Sequence, residues 1–226
     1  MNKFATLYKR LVMPYGLQKI AITAILLPLI LISCYGKAKA TTNNPEGVVI
    51  NDNDIVVGNT AANVVILEYL DIQCPACAQW HGILERTWPL IKDDIKLVIR
   101  HYPLTNIHSH ALTTAKLVEA AREQSGELYY DFYKKLIENQ NRWNNQNASD
   151  AMQTFETFAS DVGLNIEQLK KDFEKRSTEN KVLKDIELGN NDGVRGTPTV
   201  IINNQKISTP RDTKSLYNLI QELKAP

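Results

Sequence analysis

The chain has 226 residues, with 26 Lys and Arg side chains against 25 Asp and Glu, so its formal net charge is only +1. This balance excludes the strongly basic composition that is typical of nucleic-acid-binding proteins. An apolar content of 43% excludes wholesale disorder, and the length suits one domain with a sizeable core. Three cysteines are too few for a disulfide scaffold, so any chemistry they have must come from where they are placed.

The first 40 residues carry six basic side chains and no acidic one, so the rest of the chain has a net charge of about −5. Four of these basic groups precede residues 20–36, an uncharged run typical of an export signal. Three interpretations stay open: cleavage after residues 38–40, acylation of Cys34 in a sequence that resembles a bacterial lipobox, or an uncleaved membrane anchor. Each predicts that residues 41–226 lie in the periplasm or at the outer face of the inner membrane.

Three apolar runs predict the strands of a central sheet. Residues 63–70 are β-branched and mostly apolar, which is typical of a buried central strand. Residues 95–100 and 199–202 predict a second and a third strand, and a two-asparagine turn after the third predicts a hairpin partner at 205–208.

Between the second and third strands, at about 105–192, apolar residues recur at helical spacing. The sequence therefore predicts an α/β fold with a helical insertion, forming one domain over residues 41–226, because the apolar stripes of the insertion need a surface to cover. A last helix is expected at about 212–223. The polar segment 139–147 is interpreted as a loop around one tryptophan, to which we assign a packing role.

Local signals also mark helix boundaries in the insertion. Asn165 followed by Gln168 predicts a capping box at a helix start. Gly163 and Gly189 are interpreted as helix stops, because glycine is favoured just after the end of a helix.

The sequence Cys74-Pro75-Ala76-Cys77 directly follows the first strand and begins a predicted helix. Unpaired backbone N–H groups at a helix start favour a Cys74 thiolate, whereas Cys77 lies deeper and should stay protonated. Lowering a thiol pKa from about 8.5 to about 5 requires roughly 5 kcal/mol. A helix dipole contributes only about 0.3–1 kcal/mol, so hydrogen bonds from the Cys77 N–H and thiol must provide much of the rest. A structural disulfide and a metal site shared with two histidines are the alternatives.

Three segments resemble the DsbA-like thiol:disulfide oxidoreductases of the thioredoxin superfamily. They are LEYLDIQCPAC at 67–77, VIRHYPL at 98–104 and GVRGTPTVIINNQKI at 193–207. The resemblance implies a thioredoxin fold with a helical insertion between the second and third core strands. It also implies that Pro198 follows a cis peptide bond and stands beside Cys74, with the backbone of Thr197 available to pair with an extended substrate.

Further site assignments rest on the same resemblance. Glu68 matches the family's buried acid, which would take the proton of Cys77; a solvent-facing strand glutamate is the alternative. Pro75 and Ala76 form the dipeptide between the cysteines, and their lack of a histidine predicts an oxidising but not extreme potential. His81, His101 and Trp80 are interpreted as packing or surface residues.

The resemblance implies an exported oxidoreductase that introduces disulfide bonds into translocated proteins. Its expected partners are reduced or unfolded exported proteins and a DsbB-like membrane reoxidant; we expect no cofactor, no metal and no nucleic acid. No dimerisation module is evident, so we expect a monomer. Three alternatives stay open: a disulfide reductase or isomerase, a metal-binding thioredoxin-like chaperone, and a lipoprotein whose cysteines are vestigial.

Overall fold

The computed structural model describes residues 50–224. The export-signal predictions, including Cys34 and the segments 20–36 and 38–40, lie outside the described residues. The strands are β1 (Val56–Gly58), β2 (Val64–Leu70), β3 (Ile95–His101), β4 (Thr199–Ile202) and β5 (Gln205–Ile207). The helices are α1 (Pro75–Ile91), α2 (Ala111–Arg122), α3 (Gly126–Glu138), α4 (Gln140–Trp143), α5 (Ala148–Asp161), α6 (Ile166–Phe173), α7 (Arg176–Asn191) and α8 (Thr213–Lys224).

The strands form one sheet in the order β1-β3-β2-β4-β5. β2 and β3 are parallel, as the connection through α1 requires, and the other neighbours are antiparallel. β2 lies in the centre with nearly every residue buried, which explains its continuous apolar sequence. Helices α2 to α7 occupy the chain between β3 and β4.

The two faces of the sheet bury different clusters because successive side chains of a strand point to opposite sides. One face of β2, with Ile66, Glu68 and Leu70, points towards the larger core, which α1, α8 and the first helices of the insertion complete. The opposite face, with Leu67 and Tyr69, contributes to a smaller cluster. Glu68 therefore lies on the α1 side of the sheet.

The predicted strands are confirmed within one residue at each end. The asparagine turn also forms as expected: Asn203 and Asn204 have φ angles of 44° and 69°, and β4 and β5 pair as a hairpin on either side of them. Positive φ at both central positions is the signature of a tight hairpin turn, and asparagine tolerates it. Strand β1 was not predicted, because three residues at the edge of a sheet are too few to show a period of two.

Two helical predictions are wrong. Segment 139–147 is not a loop throughout, since it contains the short helix α4. Gly189 does not stop a helix, because α7 continues to Asn191 and the glycine with a positive φ (68°) after it is Gly193. Gly189 instead permits close packing: a Cβ there would lie only 2.6 Å from the ring of Tyr102.

Other local predictions are confirmed. Gly163 follows the end of α5 with a φ of 89°, and Asn165 caps α6 by accepting a hydrogen bond from the backbone N–H of Gln168. The capping box is not reciprocal, because the Gln168 side chain donates to Asp172. The tryptophan of the insertion, Trp143, is fully buried, in agreement with a packing role.

Candidate active site

The two cysteines lie at the start of α1, where the chain leaves the central strand. Cys74 is the N-cap residue and Pro75 occupies the first helical position, where a proline sacrifices no hydrogen bond. Cys74 is 7% exposed and Cys77 only 1%, and both are free thiols. Cys74 is thus the outer cysteine and Cys77 the inner one, as their spacing predicts.

The environment of the pair separates the two thiols electrostatically. The pKa of Cys74 is lowered to about 5, chiefly because the Cys77 thiol donates a hydrogen bond to its sulfur; burial opposes this, and the backbone N–H groups of Cys77 and Ala76 support it. Burial and the neighbouring Cys74 raise the pKa of Cys77 well above its usual range. At neutral pH the arrangement therefore holds one thiolate and one thiol.

The segment before β4 faces this pair. The Thr197–Pro198 peptide bond is cis. The Cys74 sulfur lies 3.4 Å from the carbonyl oxygen of Thr197, to which it donates a hydrogen bond only when it is protonated, so this peptide lies directly against the outer sulfur. The buried Thr197 hydroxyl lies near both sulfurs and helps to lower their pKa values by donating towards them.

A groove of about 320 Å³ opens beside the cysteines. Ala76 and Pro198 line it together with the side chains of Gln79, Ile83 and Arg211. Because the groove runs from the helix start to the segment after β5, an extended chain bound there would pass close to Cys74.

Glu68 is fully buried beneath α1, so it does not face solvent. The indole N–H of Trp80 donates to one of its carboxyl oxygens. Trp80 stands three residues after Cys77 on the same side of α1, so its indole connects the carboxyl group to the helix face that carries the inner cysteine. Burial raises the pKa of Glu68 to about 7, and the Trp80 hydrogen bond limits that rise.

Asp71 supports the turn before Cys74 and was missed by the sequence reasoning. Its buried carboxylate accepts the backbone N–H groups of Gln73 (2.8 Å) and Leu104 (2.9 Å) and contacts Nδ1 of His108 at 2.7 Å. It therefore ties the loop after β3 to the loop after β2. The available signal was its position, a carboxylate directly after a buried strand.

Gln140 was also missed, because it lies in the segment interpreted as a loop. Its side-chain amide donates to the carbonyl oxygens of Ile72 (2.6 Å) and Cys74 (3.0 Å). The first turn of α1 uses the Cys74 carbonyl as well, through the N–H of Ala78. The helical insertion thus holds the cysteine turn by its backbone, and nothing in the sequence signals such a long-range contact.

Within residues 50–224, no three His, Cys, Asp or Glu side chains are grouped so that they could hold a metal ion. No helix in the described part of the chain has the length and apolar character needed to cross a membrane.

A family model described as thioredoxin matches residues 50–222. The chain belongs to this thioredoxin family. Its fold is the thioredoxin fold with the helical insertion expected between the second and third core strands.

Solved structures show the same fold. The chain superposes on a thioredoxin-like oxidoreductase from Silicibacter pomeroyi with a TM-score of 0.63 and 22% identity, covering 78% of this chain and 95% of that one. For alpha-DsbA1 of Wolbachia pipientis the TM-score is 0.68 with 21% identity, covering 78% and 94%. For BdbD of Bacillus subtilis the TM-score is 0.65 with 21% identity, covering 75% and 91%.

Among curated proteins, the chain is similar to part of several proteins that are named as Na(+)/H(+) antiporters. The chain is 26% identical to Na(+)/H(+) antiporter NhaA 3 of Salinispora tropica over 188 residues, which is 80% of this chain and 27% of the antiporter. It is 29% identical to NhaA 1 of Mycolicibacterium vanbaalenii over 174 residues, 75% of this chain and 26% of that protein. The chain thus spans about a quarter of the length of these relatives.

Proposed function

We propose that the protein is a thiol:disulfide oxidoreductase that introduces disulfide bonds into reduced, exported proteins. The observation that carries this proposal is the Cys74 sulfur, whose pKa is about 5 and which lies against the Thr197–Pro198 peptide. The likeness to a thioredoxin-like oxidoreductase and to DsbA supports thiol–disulfide exchange as the chemistry. The antiport activity in the names of the other relatives is not part of the proposal, because the match spans only about a quarter of each.

The reaction uses both sulfurs in turn. A substrate thiolate attacks the Cys74 sulfur of the Cys74–Cys77 disulfide, a mixed disulfide forms, and Cys77 leaves as a thiolate that takes a proton. A second substrate thiolate then attacks the substrate sulfur of the mixed disulfide, and Cys74 leaves as the thiolate that its surroundings stabilise. The substrate gains a disulfide and loses two electrons, and the enzyme becomes a dithiol. A DsbB-like membrane partner accepts these electrons.

The low pKa of Cys74 supports the oxidising direction of the proposal. At pH 7 a thiol with a pKa of about 5, compared with an ordinary one near 8.5, stabilises the reduced protein by roughly 3 kcal/mol. This corresponds to a reduction potential higher by about 60 mV, because about 30 mV corresponds to 1.4 kcal/mol for two electrons. The shift favours reduction of the Cys74–Cys77 disulfide by a substrate dithiol, which supports the oxidase direction of the proposal.

The remaining assignments complete the proposal. Thr197 offers its backbone to the substrate, Pro198, Pro75 and Ala76 border the bound chain, and Glu68 exchanges a proton with Cys77. We place the domain in the periplasm or at the outer face of the inner membrane, delivered there by the first 40 residues, and it acts as a monomer without a cofactor.

The redox equilibrium of the purified protein with glutathione tests the proposal. We expect an oxidising potential, and we expect Cys77→Ser to accumulate mixed disulfides with reduced proteins at Cys74. A strongly reducing potential would favour the reductase or isomerase alternative. If the reduced protein copurifies with a stoichiometric metal ion and Cys77→Ser traps nothing, the metal-chaperone alternative replaces the proposal.

A further inference from the structure

A line of polar side chains leads from the buried carboxyl group to the protein surface. Oε2 of Glu68 accepts the Trp80 indole N–H, but Oε1 is buried without a hydrogen-bond partner in the described chain. The Tyr133 hydroxyl lies close enough to this carboxyl to oppose the rise of its pKa. The same hydroxyl is 3.4 Å from Nδ1 of His81.

The line of polar side chains reaches the protein surface at Glu138. Nε2 of His81 is 3.2 Å from Oε1 of Glu138, whose side chain is 50% exposed, whereas His81 itself is 2% exposed. His81 is thus not merely a packing residue. It joins a fully buried tyrosine on one side to a water-accessible carboxylate on the other.

The protonation states suit a relay. Burial lowers the pKa of His81; Glu138 on α3 and Glu85 on α1 oppose this, and Lys134 on α3 supports it. The ring is therefore neutral at pH 7, with one nitrogen that donates and one that accepts. Burial also raises the pKa of Tyr133 well above its usual range, so its hydroxyl passes a proton on only while receiving another.

We propose that Tyr133, His81 and Glu138 conduct protons between Glu68 and solvent during thiol exchange at Cys77. The inference rests on the proposed function, since it supplies the proton that this function requires. A proton on Oε1 of Glu68 gives the unpartnered oxygen a donor role towards Tyr133, which donates in turn to Nδ1 of His81. Nε2–H of His81 then donates to the Glu138 carboxylate, so the hydrogen bonds from Tyr133 to Glu138 point outwards, and the contact from Glu68 to Tyr133 forms when Oε1 carries the proton.

The proton balance is complete in both directions. When the mixed disulfide at Cys74 is resolved by Cys77, the Cys77 thiol gives its proton to Glu68, its sulfur bonds to Cys74, and the other thiol leaves with the electron pair. Glu68 then passes one proton to Tyr133 as Tyr133 passes one to Nδ1, and Nε2 releases one through Glu138 to water. When the disulfide is opened, the same movements in reverse bring one proton in to the departing Cys77 thiolate.

A relay changes rates and leaves equilibria unchanged, and this distinguishes it from a structural role. The experiment mixes reduced protein with oxidised glutathione, stops the reaction with acid, and follows the glutathione mixed disulfide by mass spectrometry. Tyr133→Phe should slow its decay by at least about tenfold, since positioned acid–base groups typically contribute 10²–10⁴-fold. The equilibrium constant with glutathione should stay at the wild-type value.

Tyr130→Phe is the matched control. It removes a hydroxyl from the same helix, but that hydroxyl donates to Glu85 and lies off the line. Its decay rate should equal that of the wild type. Glu138→Gln, at the exposed end, keeps the core intact if Tyr133→Phe fails to fold, and it should slow the decay without shifting the equilibrium.

The inference is overturned if the glutathione mixed disulfides of Tyr133→Phe and Glu138→Gln decay as fast as that of Tyr130→Phe. It is also overturned if the equilibrium constant of these variants with glutathione changes as much as the decay rate. Failure of the proposed function gives a different result, because the wild-type protein itself would then form no mixed disulfide with glutathione or would have a strongly reducing potential.

Discussion

Replacing Cys77 by alanine removes the hydrogen-bond donor that contributes most to the low pKa of Cys74. The backbone N–H groups of Cys77 and Ala76 stay in place and still favour the thiolate. A hydrogen bond to a charged group contributes about 1.5–3 kcal/mol, and one pKa unit corresponds to about 1.36 kcal/mol. We therefore expect the Cys74 pKa to rise by about 1–2 units, from about 5 to about 6–7.

The ultraviolet absorbance of the thiolate, followed as a function of pH, measures this pKa directly, and the pH dependence of alkylation by iodoacetamide checks it independently. Cys77→Ser is the control, because its hydroxyl still donates a hydrogen bond, and its pKa should lie between those of the wild type and Cys77→Ala. A pKa that stays near 5 in Cys77→Ala, or that rises equally in both variants, would refute the assignment of the thiol as the main donor.

Three further predictions concern stability. Gln140→Leu removes the amide from both carbonyls, of which that of Cys74 keeps the N–H of Ala78, and should cost about 1–3 kcal/mol in urea unfolding. The exposed Asn141→Leu should change the free energy of unfolding by less than about 0.5 kcal/mol, and equal effects would contradict the role of the amide. Gly189→Ala should destabilise by about 1–3 kcal/mol through overpacking, whereas Gly126→Ala, which meets open space, should be neutral or stabilising by calorimetry. Because the folded pKa of Cys74 lies below that of an unfolded cysteine, the reduced protein gains stability relative to the oxidised one as pH rises from about 5 towards about 8.5, and loses it as pH falls. Melting temperatures of both forms measured between these pH values test this, and a constant difference would disprove it.

Much of the sheet was predictable because its signals are local. The strand over 64–70 is buried on both faces, so its sequence is apolar on both faces except at Glu68, and the two asparagines with positive φ form the kind of turn that favours them. The asymmetry of the cysteine pair was predictable for the same reason, since the N-cap residue and the third residue of a helix have different surroundings. These features depend on a few neighbouring residues.

The remaining features depend on contacts between distant segments. Gln140 acts on carbonyls more than 60 residues earlier in the chain, and its own segment has the composition of a loop. Gly189 has the residue type of a helix stop, but its role is set by Tyr102, which belongs to the loop after β3. The path from Glu68 through His81 likewise combines one strand and two helices. No periodicity in the sequence indicates such contacts between distant segments.

The hydrogen bonds between the helical insertion and the cysteine turn have a consequence for local unfolding of the protein. The Gln140 amide donates to the backbone carbonyls of Ile72 and Cys74. Local unfolding that separates helix α4 from the sheet would therefore also break the hydrogen bonds that hold the backbone at Cys74. We therefore expect partial opening of the insertion to disturb the geometry of the cysteine turn before the sheet itself unfolds.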